Sequence, residues 1–274
     1  MNLKDAVLSA KSADDQIALF YTGQEGFLVK YRGTYLLFDG YLSDYVDRQH
    51  YTEEIPWKRR YPAPISGNEL DFIDYVFCSH GHDDHMDPDT LSAIASVNDH
   101  AKFIVPAPLA GLAASFGIAP ERILPARAGE SISLDGITVL PVPAAHEELE
   151  TDENGDFLAM GYRLQLGAIS LYHAGDCCVY DGQAERLGQV DVALLPVNGR
   201  SFYKLQRGII GNMDAAEAAE LAVAIGAKLL VPMHYDLYAV NGLATSAVVE
   251  AIERIAPDLP FHLFRPGEKL LLGN

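Results

Sequence analysis

Short apolar runs separated by glycine and Asp-Gly turns dominate the first two-thirds of the chain. Residues 17–42, IALFYTGQEGFLVKYRGTYLLFDGYL, hold β-branched, leucine and aromatic runs cut at Gly23, Gly26 and Arg32-Gly33. That pattern predicts strands and a tight hairpin. Residues 43–70 change character: they carry three prolines and little periodicity, which predicts a long loop of the kind that forms lids, binding walls or interfaces. DYVFC (74–78) predicts a buried strand, and MDPDTLSAIASV predicts a helix capped by Asp87 and begun by Pro88. KFIVPAP (102–108) reads as a strand and LAGLAASFG (109–117) as a short helix ending at glycine. From 122 to 176 strands are predicted over RILPA, SISL, ITVLPVPAA, FLAMGYRLQLG and ISLYHAGD. The last third alternates. VDVALLPVNG (190–199), KLLVPMHYD and FHLFRPGEKLLL are strand-like, and DAAEAAELAVAIGA (214–227) and SAVVEAIERIAP are helical. Asp214 with Glu217 forms a capping-box pattern. Two inner sheets with helices outside satisfy this order. No linker-like stretch divides the chain, so residues 1–274 are expected to form a single domain.

Composition narrows the function. The chain has a formal net charge of −18, which opposes nucleic-acid phosphates and anionic membranes. A small anionic substrate remains compatible, because a pocket can be locally positive. Cys78, Cys177 and Cys178 form no C-x-x-C and no even set, which points to a reducing compartment. The N-terminal residues lack the apolar core of a signal peptide, and no run reaches the length of a membrane span. The expectation is a soluble, cytoplasmic protein.

The chemistry begins at residues 79–85, SHGHDDH, directly after the DYVFC strand. His80 and His82 are two apart and can point the same way from an extended segment. Asp84 and His85 follow after the chain turns, so a tight loop can offer His80 and His82 to one ion and Asp84 and His85 to a second. Other strands end alike: ITVLPVPAAH at His146, ISLYHAGD at Asp176, VDVALLPVN at Asn198 and KLLVPMH at His234. Groups at strand ends gather at one sheet edge, where ligands bind. Imidazole with carboxylate suits zinc, manganese or iron. Bland roles remain for the rest. Asp83 and Asp87 read as solvated or capping residues, and His50, His100 and His262 as surface or loop groups. His173 reads as a strand histidine, and Cys78 as a small buried apolar group. Cys177 neighbours Asp176 but is expected to point elsewhere.

SHGHDDH, His146, HAGD with Asp176, and MH with His234 together resemble the metallo-β-lactamase superfamily, over residues from about 17 onward. The resemblance implies an αββα four-layer sandwich with the metal site at one edge. PVNGR, IIGNM and PMHYD narrow it: the stretch is similar to the UlaG-type L-ascorbate-6-phosphate lactonases. Carried onto this chain, the resemblance implies His80, His82 and His146 on a first ion, Asp84, His85 and His234 on a second, and Asp176 between them. It also implies manganese, with zinc equally compatible with the residues, and one or two ions.

The reaction expected from this set is opening of a sugar-derived, possibly phosphorylated, lactone by metal-bound hydroxide. Asp84 would orient the water and take its proton. Arg200, Lys204 and Arg207 are expected to hold a phosphate, with Asn198 and Tyr235 as further substrate contacts. Lys58-Arg59-Arg60 beside Trp57 is a second basic cluster for an anionic substrate or a subunit interface. A homo-oligomer is a further expectation. The competing readings are a phosphodiesterase for a small cyclic phosphodiester and a non-catalytic metal or ligand sensor.

Overall fold

The computed structural model describes every residue except Met1, Ser12, Asp14 and Asn274. Helix α1 (Leu3–Ser9), capped by the Asn2 side chain, lies ahead of a meander of β1 (Ile17–Gly23), β2 (Gly26–Tyr31) and β3 (Thr34–Phe38). Then come α2 (Tyr45–His50), β4 (Tyr75–Phe77), α3 (Pro88–Val97), β5 (Lys102–Pro106), α4 (Ala110–Ser115) and β6 (Ile123–Ala126). A second meander is built from β7 (Ile132–Leu134), β8 (Ile137–Pro143), β9 (Met160–Leu166) and β10 (Ile169–His173). The chain closes with α5 (Gln183–Leu187), β11 (Val192–Pro196), α6 (Phe202–Leu205), α7 (Ala215–Ala224), β12 (Leu229–Met233), α8 (Thr245–Ile255) and β13 (Lys269–Leu272).

These strands form one sheet in the order β13-β1-β2-β3-β4-β5-β6 and another in the order β12-β11-β10-β9-β8-β7. The period-2 alternation of a strand explains why β1 is buried along its whole length. Ile17, Leu19 and Tyr21 face the second sheet, where they join Val139, Tyr162 and Leu164. Ala18 and Phe20 face the other way, with Leu3 and Val7 of α1, Leu91 and Ile94 of α3 and Ala113 of α4. Helices α7 and α8 pack together, and α7 covers β11 and β12. The architecture is the αββα four-layer sandwich expected from the sequence.

Strand direction positions the site. β3 is parallel to β4, and β1 is parallel to β3 because each is antiparallel to β2. In the other sheet β10, β11 and β12 are parallel, and β8 matches β10 through its antiparallel neighbour β9. Within each sheet, therefore, these strands deliver their C-terminal ends to one edge.

Three details differ from the sequence expectation. Segment 43–70 is not all loop: it contains α2 and a single 3-10 turn at Gly67–Glu69. FHLFRPGEKLLL forms a strand only over Lys269–Leu272, since Phe261 makes an isolated bridge to Leu230 and a turn follows at Pro266-Gly267. Helices α1, α5 and α6 span at most two turns, too short to show a helical period.

Candidate metal centre

The SHGHDDH turn leaves β4 and folds back on itself, with His85 N and Met86 N both donating to His82 O. This turn separates the two halves of the motif. His80, His82, His146 and Asp176 place one candidate ligand atom each within 4.8 Å of one another, and Asp84, His85 and His234 do the same beside them. Asp176 lies between the groups. Its Oδ2 is 3.8 Å from His146 Nδ1 and 3.6 Å from His85 Nε2, and its Oδ1 is 3.3 Å from His234 Nε2.

The donor set fits divalent cations. His80 Nε2, His85 Nε2 and His146 Nδ1 are buried with no hydrogen-bond partner, an arrangement that a cation satisfies and an empty apolar pocket does not. His80 packs against His82, His85 and His146 at ring-centroid distances of 4.2–4.7 Å. Burial and the surrounding imidazoles push His80 well below the usual histidine pKa, and burial brings His146 down to about 4. Both are thus neutral ligands at pH 7. Burial opposes charge on His85, but Asp176, Asp84 and Asp39 override it and raise its pKa well above the ordinary value.

The groups behind these ligands set their orientation. Asp39, at the end of β3, accepts from Ser79 N at 2.7 Å and from Ser79 Oγ at 2.6 Å. It also lies 3.0 Å from His85 Nδ1. Ser79 Oγ is 3.0 Å from His80 Nδ1. Protons on both Nδ1 atoms leave both Nε2 atoms free to ligate. Asn212 Nδ2 donates to Asp176 Oδ1 at 2.6 Å and to Asn198 Oδ1 at 3.0 Å, and Asn198 in turn donates to Asn241. On the opposite side the β1–β2 turn inserts Gln24, whose Nε2 donates to Asp84 Oδ2 at 2.5 Å. Gln24 has φ +60. This left-handed backbone is held by His234 N and Tyr21 Oη, which both donate to Gln24 O.

A cavity of about 340 Å³ opens over the ligands. Its polar floor contains His82, Asp84 and Asp176, and its apolar wall contains Val46, Trp57, Ile209 and Ile210. Segment 43–70 forms part of that wall and is tied down. Arg59 N donates to Asp47 Oδ2 and Arg60 N to Leu237 O, while Trp57 meets Tyr238 edge-on. His50 also lines the cavity, 2.7 Å from Asp83. Both remain solvent-accessible, as the sequence predicts. Asp87 caps α3 as expected but is also buried, accepting from Ser43 and Thr90.

The candidate substrate contacts lie elsewhere. Lys204 Nζ turns inward and donates to Asn198 O and Gly199 O. Arg200 pairs with Glu217, and Arg207 stacks on Tyr203 and approaches Glu54. None of the three cations lines the cavity above the ligands; Arg200 and Lys204 line a neighbouring one with Glu147 and Glu148. Asn198 serves the amide chain behind Asp176. Tyr235 is buried in the core and donates to Phe264 O. Each of these polar heads has a protein partner in this structure. His173 bonds to Glu25 O and accepts from Gly175 N, and the Cys177 thiol donates to Cys178 O.

Sequence reasoning missed Gln24, Glu25, Asp39 and Asn212. The first three obey the rule that found the histidines, a polar group after an apolar strand. IALFYTGQE and YLLFD both show it. Asn212, in IIGNM, carries no such signal.

Fold and site define a metallo-hydrolase of two sheets with a histidine-carboxylate centre at their shared edge. The family model for the beta-lactamase superfamily domain matches residues 35–235, and the chain belongs to that superfamily. It is 32% identical over 207 residues to a UPF0173 metal-dependent hydrolase of Methanoculleus marisnigri, covering 73% of this chain and 82% of the relative. It is 26% identical over 209 residues to a probable L-ascorbate-6-phosphate lactonase UlaG of Shigella flexneri, covering 71% of this chain and 57% of that relative. Among solved structures, the metallo hydrolase Igni18 of Ignicoccus hospitalis superposes with a TM-score of 0.70 at 21% identity, over 94% of this chain and 99% of its own. The chain is a metal-dependent hydrolase of the beta-lactamase superfamily. Among the described residues, no helix is long and apolar enough to cross a membrane.

Proposed function

We propose that this hydrolase opens a small sugar-derived lactone. The observation that carries the reading is the pair of adjoining ligand groups, bridged by Asp176, under a cavity of about 340 Å³. That volume lies at the small end of ligand pockets and suits one ring better than a chain of them. The probable lactonase relative supports a cyclic ester as the electrophile.

His80, His82, His146 and Asp176 would hold one ion, and Asp84, His85, His234 and Asp176 the other. Bound divalent ions supply Lewis acidity and lower the pKa of water. The protein's own groups do the rest. Of the two ligand carboxylates that line the cavity, Asp84 is more exposed than Asp176, and Gln24 holds one of its oxygens. In this reading the other oxygen accepts a proton from an attacking water and returns it to the leaving alkoxide. Val46, Trp57, Ile209 and Ile210 exclude bulk water from one side of the ring. The neighbouring cavity with Arg200 and Lys204 shares Ile209 with the first, so a phosphate on the lactone would have to reach across that residue and displace Glu217 from Arg200. The favoured substrate is therefore the unphosphorylated ring, opened by protein loaded with manganese or zinc.

The test follows ring opening of L-ascorbate-6-phosphate and of an unphosphorylated aldonolactone, with metal-loaded wild type and Asp84→Asn. Turnover of the plain lactone, lost by at least about 100-fold in the variant with metal content preserved, is expected for a general base. Retained turnover in Asp84→Asn removes the assignment of Asp84. No opening of either lactone by metal-loaded protein removes the lactonase reading.

A further inference from the structure

Glu25 sits at the tip of the β1–β2 turn, just past the C-terminal end of β1, at the edge where β3 and β4 also end. It is fully buried, and neither carboxylate oxygen has a hydrogen-bond partner. A buried carboxylate with no donor is costly unless a cation or a proton compensates it. Two clusters contain it. One joins Glu25 with Asp39 and His173, the other with Asp176 and His234.

Hydrogen bonding decides between them. In the first cluster the partners are already committed. Asp39 uses both oxygens on Ser79 and His85, and His173 uses both ring nitrogens, on Glu25 O and Gly175 N. In the second cluster Asp176 accepts one bond, from Asn212, while both Glu25 oxygens stay without a partner. One Glu25 oxygen, one Asp176 oxygen and a His234 ring nitrogen lie within 4.8 Å of one another. Glu25 Oε2 also lies 3.6 Å from His85 Nδ1, the ring nitrogen that faces Asp39 and not the ligating one. The turn that carries Glu25 is held in place, since Tyr21 Oη and Gln24 N both donate to Asp236 Oδ1 and His234 N donates to Gln24 O.

We propose that Glu25 is a further carboxylate ligand of the second ion, beside Asp84, His85, His234 and Asp176. The inference rests on the metal-centre reading above and adds a selectivity to it. The site around His80, His82 and His146 is rich in imidazole and suits zinc. With Glu25 the other site has three carboxylates to two imidazoles, a balance that favours a harder, oxygen-seeking ion such as manganese. The two positions of one centre would then differ in metal preference.

The test uses full-length protein stripped with chelator and titrated separately with manganese and zinc. Bound ions are counted by plasma mass spectrometry, and affinities are read by competition with a fluorescent chelator. Wild type is expected to bind two ions. Glu25→Gln, which keeps size but loses the anionic oxygen, is expected to weaken the second manganese at least tenfold while zinc at the histidine-rich position changes less than twofold. Two ions bound to Glu25→Gln with wild-type affinities would overturn the role of Glu25 and leave the hydrolase reading intact. Wild type that binds no ion would overturn both. Crystals of manganese-loaded wild type test the same point without a variant. A Glu25 oxygen about 2.2 Å from an anomalous peak is expected for a ligand, and one beyond about 3.5 Å refutes it.

Discussion

Asn212→Ala isolates the residue that aims the bridging carboxylate. Asn212 is fully buried, and its amide donates one hydrogen to Asp176 Oδ1 and the other to Asn198 Oδ1. A hydrogen bond to an ionised carboxylate contributes about 1.5–3 kcal/mol, and leaving the buried Asn198 oxygen without its donor costs about 1–3 kcal/mol more. Removing the Asn212 oxygen, which has no partner itself, offsets part of that loss. A net destabilisation of about 2–4 kcal/mol is expected by urea denaturation of metal-free protein. Asp176 also faces both ligand groups, so its loosened orientation is expected to weaken metal binding about 10- to 100-fold, read by chelator competition. Asn98→Ala supplies the control. Asn98 makes four comparable bonds, donating to Leu70 O and Ile73 O and accepting from His100 N and Ala101 N. It has no contact with the metal ligands, so it should lose stability and keep metal affinity. If Asn212→Ala loses stability but binds metal within twofold of wild type, the amide chain does not orient Asp176 and the reasoning fails.

Other outcomes follow from the same geometry. Gly175→Ala puts a Cβ 2.4 Å from Ser79 Cβ at φ +60. The left-handed backbone costs about 1–2 kcal/mol and the overlap about 1–3 kcal/mol, so a loss of about 2–5 kcal/mol in denaturant melts is expected; wild-type stability would show that the 79 and 175 loops separate freely. Stripping metal should lower Tm reversibly, because the unpartnered His80, His85 and His146 nitrogens bind cations only when assembled; loading at 100 times Kd restores about 2.7 kcal/mol, and an unchanged Tm would contradict the fit of the donor set. Lys204 is brought down by burial to about 8 from an ordinary 10.5. Its charged form is disfavoured in the fold, so its stability contribution is constant below about 8 and rises toward 10.5. The stability difference between wild type and Lys204→Met should climb across that window, and a flat difference would place the ammonium in water.

Legibility followed how local the cause was. The histidine turn, the Asp87 cap and the Asp214–Glu217 capping box depend on neighbours a few residues apart, and all were readable. So were the strand ends that carry His146, Asp176 and His234, because the apolar run and the polar group adjoin in the chain. Glu25 followed the same rule but sat inside Gly-Gln-Glu-Gly, where turn chemistry masked it. Charge alone carries no direction at 200–207. One residue of backbone rotation turns a lysine from a cavity toward carbonyl oxygens, and Lys204 caps Asn198 O and Gly199 O instead of facing substrate.

By itself the sequence determined the αββα layering, since hydrophobic periodicity decides which face of each strand is buried, and it determined which strands end in metal-competent groups. Tertiary structure alone decided which of those groups meet. Asp39, Asn212 and Glu25 are brought to His85 and Asp176 by pairing and sheet packing across sequence separations that no local pattern encodes. The same packing decides which cation is open to the cavity and which is spent on a carbonyl or carboxylate.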